Sequence, residues 1–124
     1  MQQPLKDADA AHPVATAWRP AFRDIVKALV QEDFALERRI AGVAPVDPST
    51  AEQIRRYLAS YGETLTELPD ETWNTSISQW MDTHWDVLVD LHTVEAGRSD
   101  LVLCARVTEV GGSFLIELES VHVP

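Results

Sequence analysis

Apolar and polar positions alternate most regularly in the last third of the chain. Trp85, Val87, Val89, Leu91 and Thr93 alternate with Asp86, Leu88, Asp90 and His92. A period of two sends one set of side chains to a buried face and the other to the opposite face of a strand. Leu101 to Glu109 predicts a second strand and Phe114 to Val123 a third. The "VGGS" between these two puts glycine at both central positions of a two-residue hairpin turn, where positive φ is needed. The "EAGRSD" between the first two strands predicts a five-residue connection, Ala96 to Asp100. In it Gly97 takes the unusual dihedrals and Ser99 and Asp100 bond to the backbone, while Arg98 offsets acidic charge beside Glu95 or Asp100.

A Gly111–Gly112 turn fixes a register: Val107 opposite Ile116 and Ala105 opposite Leu118 on one face, Arg106 opposite Glu117 and Cys104 opposite Glu119 on the other. A slip of one residue would put charges among the apolar pairs. Carrying the same parity through "EAGRSD" sets Val89 opposite Val107, Leu91 opposite Ala105 and Asp90 opposite Arg106. The expected result is a charged row, Asp90–Arg106–Glu117, with Asp86, His92 and Glu119 around it. Val87, Val89, Leu91, Leu103, Ala105, Val107, Phe114, Ile116 and Leu118 form the core face. Leu88, Val102, Leu115, Val121 and Val123 share the polar side, a mixture that fits partial cover by the N-terminal arm or a partner surface.

Upstream the period changes from two to 3.6. Phe22, Ile25, Val26, Leu29 and Val30 line one face of an amphipathic helix, with Pro20 in its first turn and Trp18 packing back on it. "ALERRI" predicts a short further helix, stopped by Gly42, Pro45 and Pro48. Ser49 with Glu52 reads as a capping box for a second main helix with stripe Ile54, Tyr57, Leu58 and Tyr61, ending at Gly62. "ETLTELP" is extended. Trp73, Ile77, Trp80, Met81 and His84 recur at helical spacing while "TSIS" is β-rich, so residues 73–84 fit either state, with a strand entering a loop preferred. The expected fold is α+β, with N-terminal helices packed on one face of a curved antiparallel sheet of three to four strands. Residues 1–15 are a flexible arm and 16–124 a single domain.

Composition narrows the function classes. A chain of 124 residues with 45% hydrophobic positions can bury one core. A single cysteine, Cys104, forms no internal disulfide, and its apolar surroundings suit an inert thiol. No apolar run approaches the roughly 20 residues needed to span a bilayer. "MQQPLKDADAAHPVATA" lacks the apolar centre of a secretory signal, so a cytoplasmic location is expected. The net charge of −10 is unevenly placed. Eight acids and eight bases cancel in residues 1–62, whereas twelve acids face only Arg98 and Arg106 in residues 63–124. A field of that sign repels nucleic acid and anionic membranes and favours a cationic protein partner.

No catalytic or metal signature accompanies the charged face. Asp86, Asp90 and His92 alternate on one strand and can in principle hold a divalent ion, but Arg106 stands among them, without HExxH, CxxC or EF-hand spacing. Glu117 and Glu119 have no oriented partner for acid–base work. His12, His84, His92 and His122 are scattered, and neither a nucleophile elbow nor a phosphate loop is present. The reading is therefore no catalytic residues, no metal and no cofactor. Trp73, Trp80 and Trp85 fall within thirteen residues and leave room for one exposed aromatic anchor, Trp80.

"IVKALVQEDFALERR", "STAEQIRRYLASYG" and "WDVLVDLHTVEAGRSDLVLCARV" together resemble a group of small, uncharacterised bacterial domains over roughly residues 18–123. The frame W-x-V-x-V-D-L-x-T-x-E-x-G-R-S-D-L carries the likeness; Leu88 and Ala96 depart from it without disrupting it. The order of elements, helices before a curved sheet, is also similar to the cystatin/NTF2-like architecture, which hosts many functions. The resemblance implies no catalytic residues. By analogy with small acidic bacterial domains it implies an immunity or antitoxin protein that occludes the active site of a cognate toxin. The expected contact residues are Asp86, Leu88, Asp90, His92, Arg106, Glu117, Glu119 and Trp80. The alternatives are a small-ligand-binding or minor enzymatic domain with a pocket between helices and sheet, and a homodimer joined through the sheet face.

Overall fold

Two helices and a five-stranded antiparallel sheet account for most regular structure in residues 4–124, the part of the chain that the computed structural model describes. Helix α1 spans Arg19–Val30 behind a 3-10 turn at Thr16–Trp18, with Pro20 in its first turn as its missing N–H permits. Phe22, Ile25, Val26 and Leu29 are buried, whereas Val30 faces solvent. Glu32 ends the helix at φ +63: its N–H reaches the Leu29 carbonyl (3.0 Å) and the Asp33 N–H reaches that of Ala28 (2.9 Å). This is a Schellman closure without its usual glycine. The expected helix at "ALERRI" does not form. The Asp33 carboxylate takes the Glu37 and Arg38 N–H groups, and buried Leu36 sits at φ +52, both incompatible with continued helix.

Helix α2 spans Pro48–Tyr61, and its cap differs from the expected one. Asp47 is the N-cap, accepting from the Thr50 N–H (2.9 Å) and from the hydroxyls of Ser49 (2.7 Å) and Thr50 (3.0 Å). The Ser49 hydroxyl, followed by the Thr50 N–H, holds the Asp47 carboxyl at a pKa of about 2. Pro48 therefore starts the helix, and Glu52 turns to Arg55 and Arg56 instead of back to Ser49. Gly62, at φ +81, gives the left-handed exit. Ile54 is buried, while the Tyr57 and Tyr61 hydroxyls accept from the N–H groups of Val123 (3.0 Å) and Asp100 (3.3 Å). The helix is thereby docked on the sheet.

The strands run β1 (His12–Pro13), β2 (Ile77–Trp80), β3 (Trp85–Thr93), β4 (Gly97–Val110) and β5 (Ser113–His122), adjacent in chain order. Five strands exceed the expected three to four because the arm supplies β1 and the ambiguous segment supplies β2. The latter follows a 3-10 turn at Asp70–Asn74. Gly111 and Gly112, both at positive φ, make the two-residue turn, and Val107↔Ile116, Arg106↔Glu117 and Ala105↔Leu118 pair as expected. Beyond them a bulge at Glu119 puts Cys104 opposite Ser120, not Glu119. It also turns Val121, expected on the polar side, into the core.

The β3–β4 register differs by four residues from the expected one: Trp85, not Val89, faces Val107, and Asp86, not Asp90, faces Arg106. Four is even, so the side chains of Trp85 to Asp90 keep their faces. The loop is Val94–Ala96, and Gly97 (φ +69) already begins β4. A second irregularity lies between Asp90 and His92, where the Ser99 hydroxyl donates to the Leu91 carbonyl (2.8 Å) and accepts from the Leu101 N–H (3.1 Å).

The core lies between the helices and one sheet face, filled by Phe22, Ile25, Val26, Leu29 and Ile54 against Val87, Val89, Leu91, Leu103, Ala105 and Val107. The edges are short or partly covered: β1 is two residues long, and β5 is bridged at Ile116 by the Gly42–Ala44 segment. The "ETLTELP" segment is extended as expected and bonds along β3 through Thr66 N–H to His92 O and Val94 N–H to Thr64 O (both 2.9 Å). Gly42 and Ala44 bond both sides of Ile116 on β5 (2.8 Å each). Among the described residues no helix is long and apolar enough to cross a membrane.

Candidate functional site

The sheet face opposite the helices is organised in rows by the strand register. Gln79, Asp86, Arg106 and Glu117 form one; Ile77, Leu88, Cys104 and Ser120 the next; Asp90, Val102 and His122 the third. The expected row Asp90–Arg106–Glu117 is thus replaced by Asp86–Arg106–Glu117. Arg106 leans to the bulge residue, its Nε 3.8 Å from a Glu119 carboxylate oxygen, with both side chains 46% exposed. An ion pair so exposed contributes little to stability. Four carboxylates against one guanidinium leave the face negatively charged.

Leu88 is 38% exposed and its partner Ile77 37%, which sets two large aliphatic side chains in water between Asp86 and Asp90. Sequence reasoning found Leu88 and missed Ile77. The signal was the alternation in "TSISQ", where Ser76 and Ser78 are buried and Ile77 points the other way. The Asp90 backbone is pinned, its carbonyl by the Thr72 hydroxyl (2.6 Å) and its N–H by the Ser76 hydroxyl (2.9 Å). Its carboxylate, like that of Glu117, makes no hydrogen bond or ion pair among the described residues. Asp86 is oriented from the β2–β3 turn: His84 Nε2 lies 3.1 Å from its Oδ1, and Thr83 Oγ1 lies 2.8 Å from His84 Nδ1. A neutral ring protonated on Nε2 satisfies both contacts. This chain of bonds fixes the turn after Asp82 (φ +69) and aims the carboxylate at the face.

Two expected contact residues do not present themselves on this face: one is buried and the other is on the helix side. His92 is 7% exposed, and its Nε2 has no partner among the described residues, so it is not available to a partner surface. Trp80 faces Trp85 on the helix side of the sheet, where the two rings pack at a tilt with centroids 4.6 Å apart and Lys6 Nζ lies 5.3 Å from the Trp80 ring. Trp18 and Phe114 complete this cluster around Trp85, whose indole N–H donates to the Leu5 carbonyl (3.0 Å). Here the aromatic residues build core, and the exposed anchor is aliphatic.

Cys104 sits half-buried in the central row. Burial pushes its thiol above the ordinary value, with a bond to Ser120 opposing and the charges of Glu119 and Asp86 adding to the rise. Its Sγ lies 3.9 Å from His122 Nδ1, which Ser120 Oγ approaches to 3.1 Å. A thiol held protonated is a poor nucleophile and a poor metal ligand.

The hairpin frame is occupied with structural work. Glu95 accepts from the Thr64 N–H (2.7 Å) and hydroxyl (3.0 Å), the Thr93 hydroxyl donates to Glu63 (2.7 Å), and Ser99 closes the irregularity in β4. A family model described as a domain of unknown function, DUF7668, matches residues 26–124. Comparison with curated proteins and with solved structures returned no match. The matched span takes in α2, β2 to β5, this hairpin and the outer-face residues that β2 to β5 supply, and the chain belongs to the DUF7668 family.

Proposed function

We propose that this protein is a non-enzymatic protein-binding module whose outer sheet face meets the partner. The observation that carries this reading is the exposed Ile77–Leu88 pair, set between Asp86 and Asp90 on a sheet whose other face is filled by helices. A partner's apolar centre would cover the pair while its polar rim meets the acids. The negative field of the face favours a cationic partner and speeds its approach. In its specific form the module is an immunity or antitoxin protein that occludes the active site of a bacterial effector toxin. A second reading, a small-ligand binder, draws on a concavity of about 520 Å3 lined by Ala35 to Val46. That concavity belongs to the α1–α2 connection and not to the space between helices and sheet.

The test is co-purification with tagged protein from the native cell, followed by association kinetics on the recovered partner. Replacing Asp90→Lys and Glu117→Lys together should slow association at least tenfold and flatten its dependence on salt. A rate unchanged by both substitutions would place the interface elsewhere.

A further inference from the structure

Resting on that reading, we infer that the partner covers the outer face with an amphipathic helix laid along β3. An apolar residue of that helix sits on Ile77 and Leu88, with a lysine or arginine four positions before it and another four positions after it. The geometry of β3 sets this pattern. Asp86, Leu88 and Asp90 share a face at two-residue intervals, so each acid lies about 7 Å from Leu88 and the two acids lie about 14 Å apart. Helix residues four apart rise about 6 Å on one face, and long cationic side chains span the remaining gap.

An extended segment would match the same interval, but on the face of a sheet its backbone N–H and C=O groups would find no partners. The edge beside Ile77 is already taken by β1, the far end of β3 by Thr64–Thr66 and the Ile116 position of β5 by Gly42–Ala44. A helix satisfies its own backbone and needs only side-chain contacts. A second copy of this chain is disfavoured, because a two-fold contact through this face sets one cluster of Asp86, Asp90, Glu117 and Glu119 against another of the same sign. The carboxylates of Asp90 and Glu117, unpaired among the described residues, are the groups a cationic helix would engage, since Arg106 already leans on Glu119.

The probes are two synthetic peptides of about 17 residues and equal composition. One has leucine flanked by lysines at four positions on either side, and its isomer has the lysines at two positions on either side. Binding to the full chain is followed by fluorescence anisotropy at physiological salt. The first peptide should bind at least tenfold tighter than the isomer, and Leu88→Ala and Asp90→Asn should each weaken it severalfold at unchanged thermal midpoint. Equal binding of both peptides, or binding indifferent to both substitutions, overturns the inference. So does self-association abolished by Leu88→Ala. If neither peptide binds while the native partner remains sensitive to Asp90→Lys and Glu117→Lys, the helix is wrong and the protein-binding reading stands. If the native partner ignores those substitutions too, both fall.

Discussion

The two long hairpins of this sheet are closed in different ways. The β4–β5 hairpin closes by dihedral preference: Gly111 and Gly112 adopt positive φ, and Val110 pairs with Ser113 as a two-residue turn requires. The β3–β4 hairpin closes by assembly. Its three-residue loop is held from outside by Thr64 on Glu95, Glu63 on Thr93 and the Tyr61 hydroxyl on the Asp100 N–H, and from inside by Ser99 on Leu91. A turn made by its own residues fixes register locally. One made by distant side chains fixes it only once the rest of the domain is in place.

Three substitutions separate these mechanisms. The largest effect is expected for Ser99→Ala, which removes the hydroxyl bonded to both the Leu91 carbonyl and the Leu101 N–H. A cost of about 1–3 kcal/mol should appear in urea unfolding. A loss below about 0.5 kcal/mol would show that water replaces the hydroxyl freely. Gly112→Ala should cost about 1–2 kcal/mol, because an L side chain resists φ +82 although nothing lies within 4 Å of its Cβ. Amide exchange should rise in β4 and β5 and stay unchanged at Thr64 to Thr66. Increased exchange in both hairpins alike would contradict a local closure.

Glu95→Ala should be the mildest and the only one with a pH signature. The Thr64 N–H, the largest cause, holds the Glu95 carboxyl below its ordinary value of 4.5. The resulting stabilisation is complete above the unfolded value and disappears as pH falls through the lowered folded one. Wild type and variant should therefore differ in thermal midpoint at neutral pH and converge in acid. A gap that persists at low pH would mean the carboxylate charge is not what holds the segment.

The β4–β5 register from the turn to Ala105, the inner core face and the glycine exit of α2 were legible because period and turn chemistry are properties of neighbouring residues, whereas the bulge at Glu119 was not. The start of α2 was misread because Asp47 and Ser49 are both good caps, and Pro48 tips the choice to the earlier one by suiting the first helical position. The β3–β4 register was misread because parity alone does not separate shifts of two or four residues. Trp80 was misread because a tryptophan serves equally in a core and in an interface. His92 was misread because its burial depends on a fold-level arrangement that strand parity does not contain.

The sequence by itself determined the α+β class, which side chains of each long strand share a face, and the concentration of acid in the half that carries the sheet. These follow from period and composition. Only the tertiary structure decided which acid faces Arg106, that Ile77 stands beside Leu88, and that Trp80 and His92 are withdrawn from the outer face. Each of those depends on which strand meets which, and contacts between residues far apart in the chain settle that when the core closes.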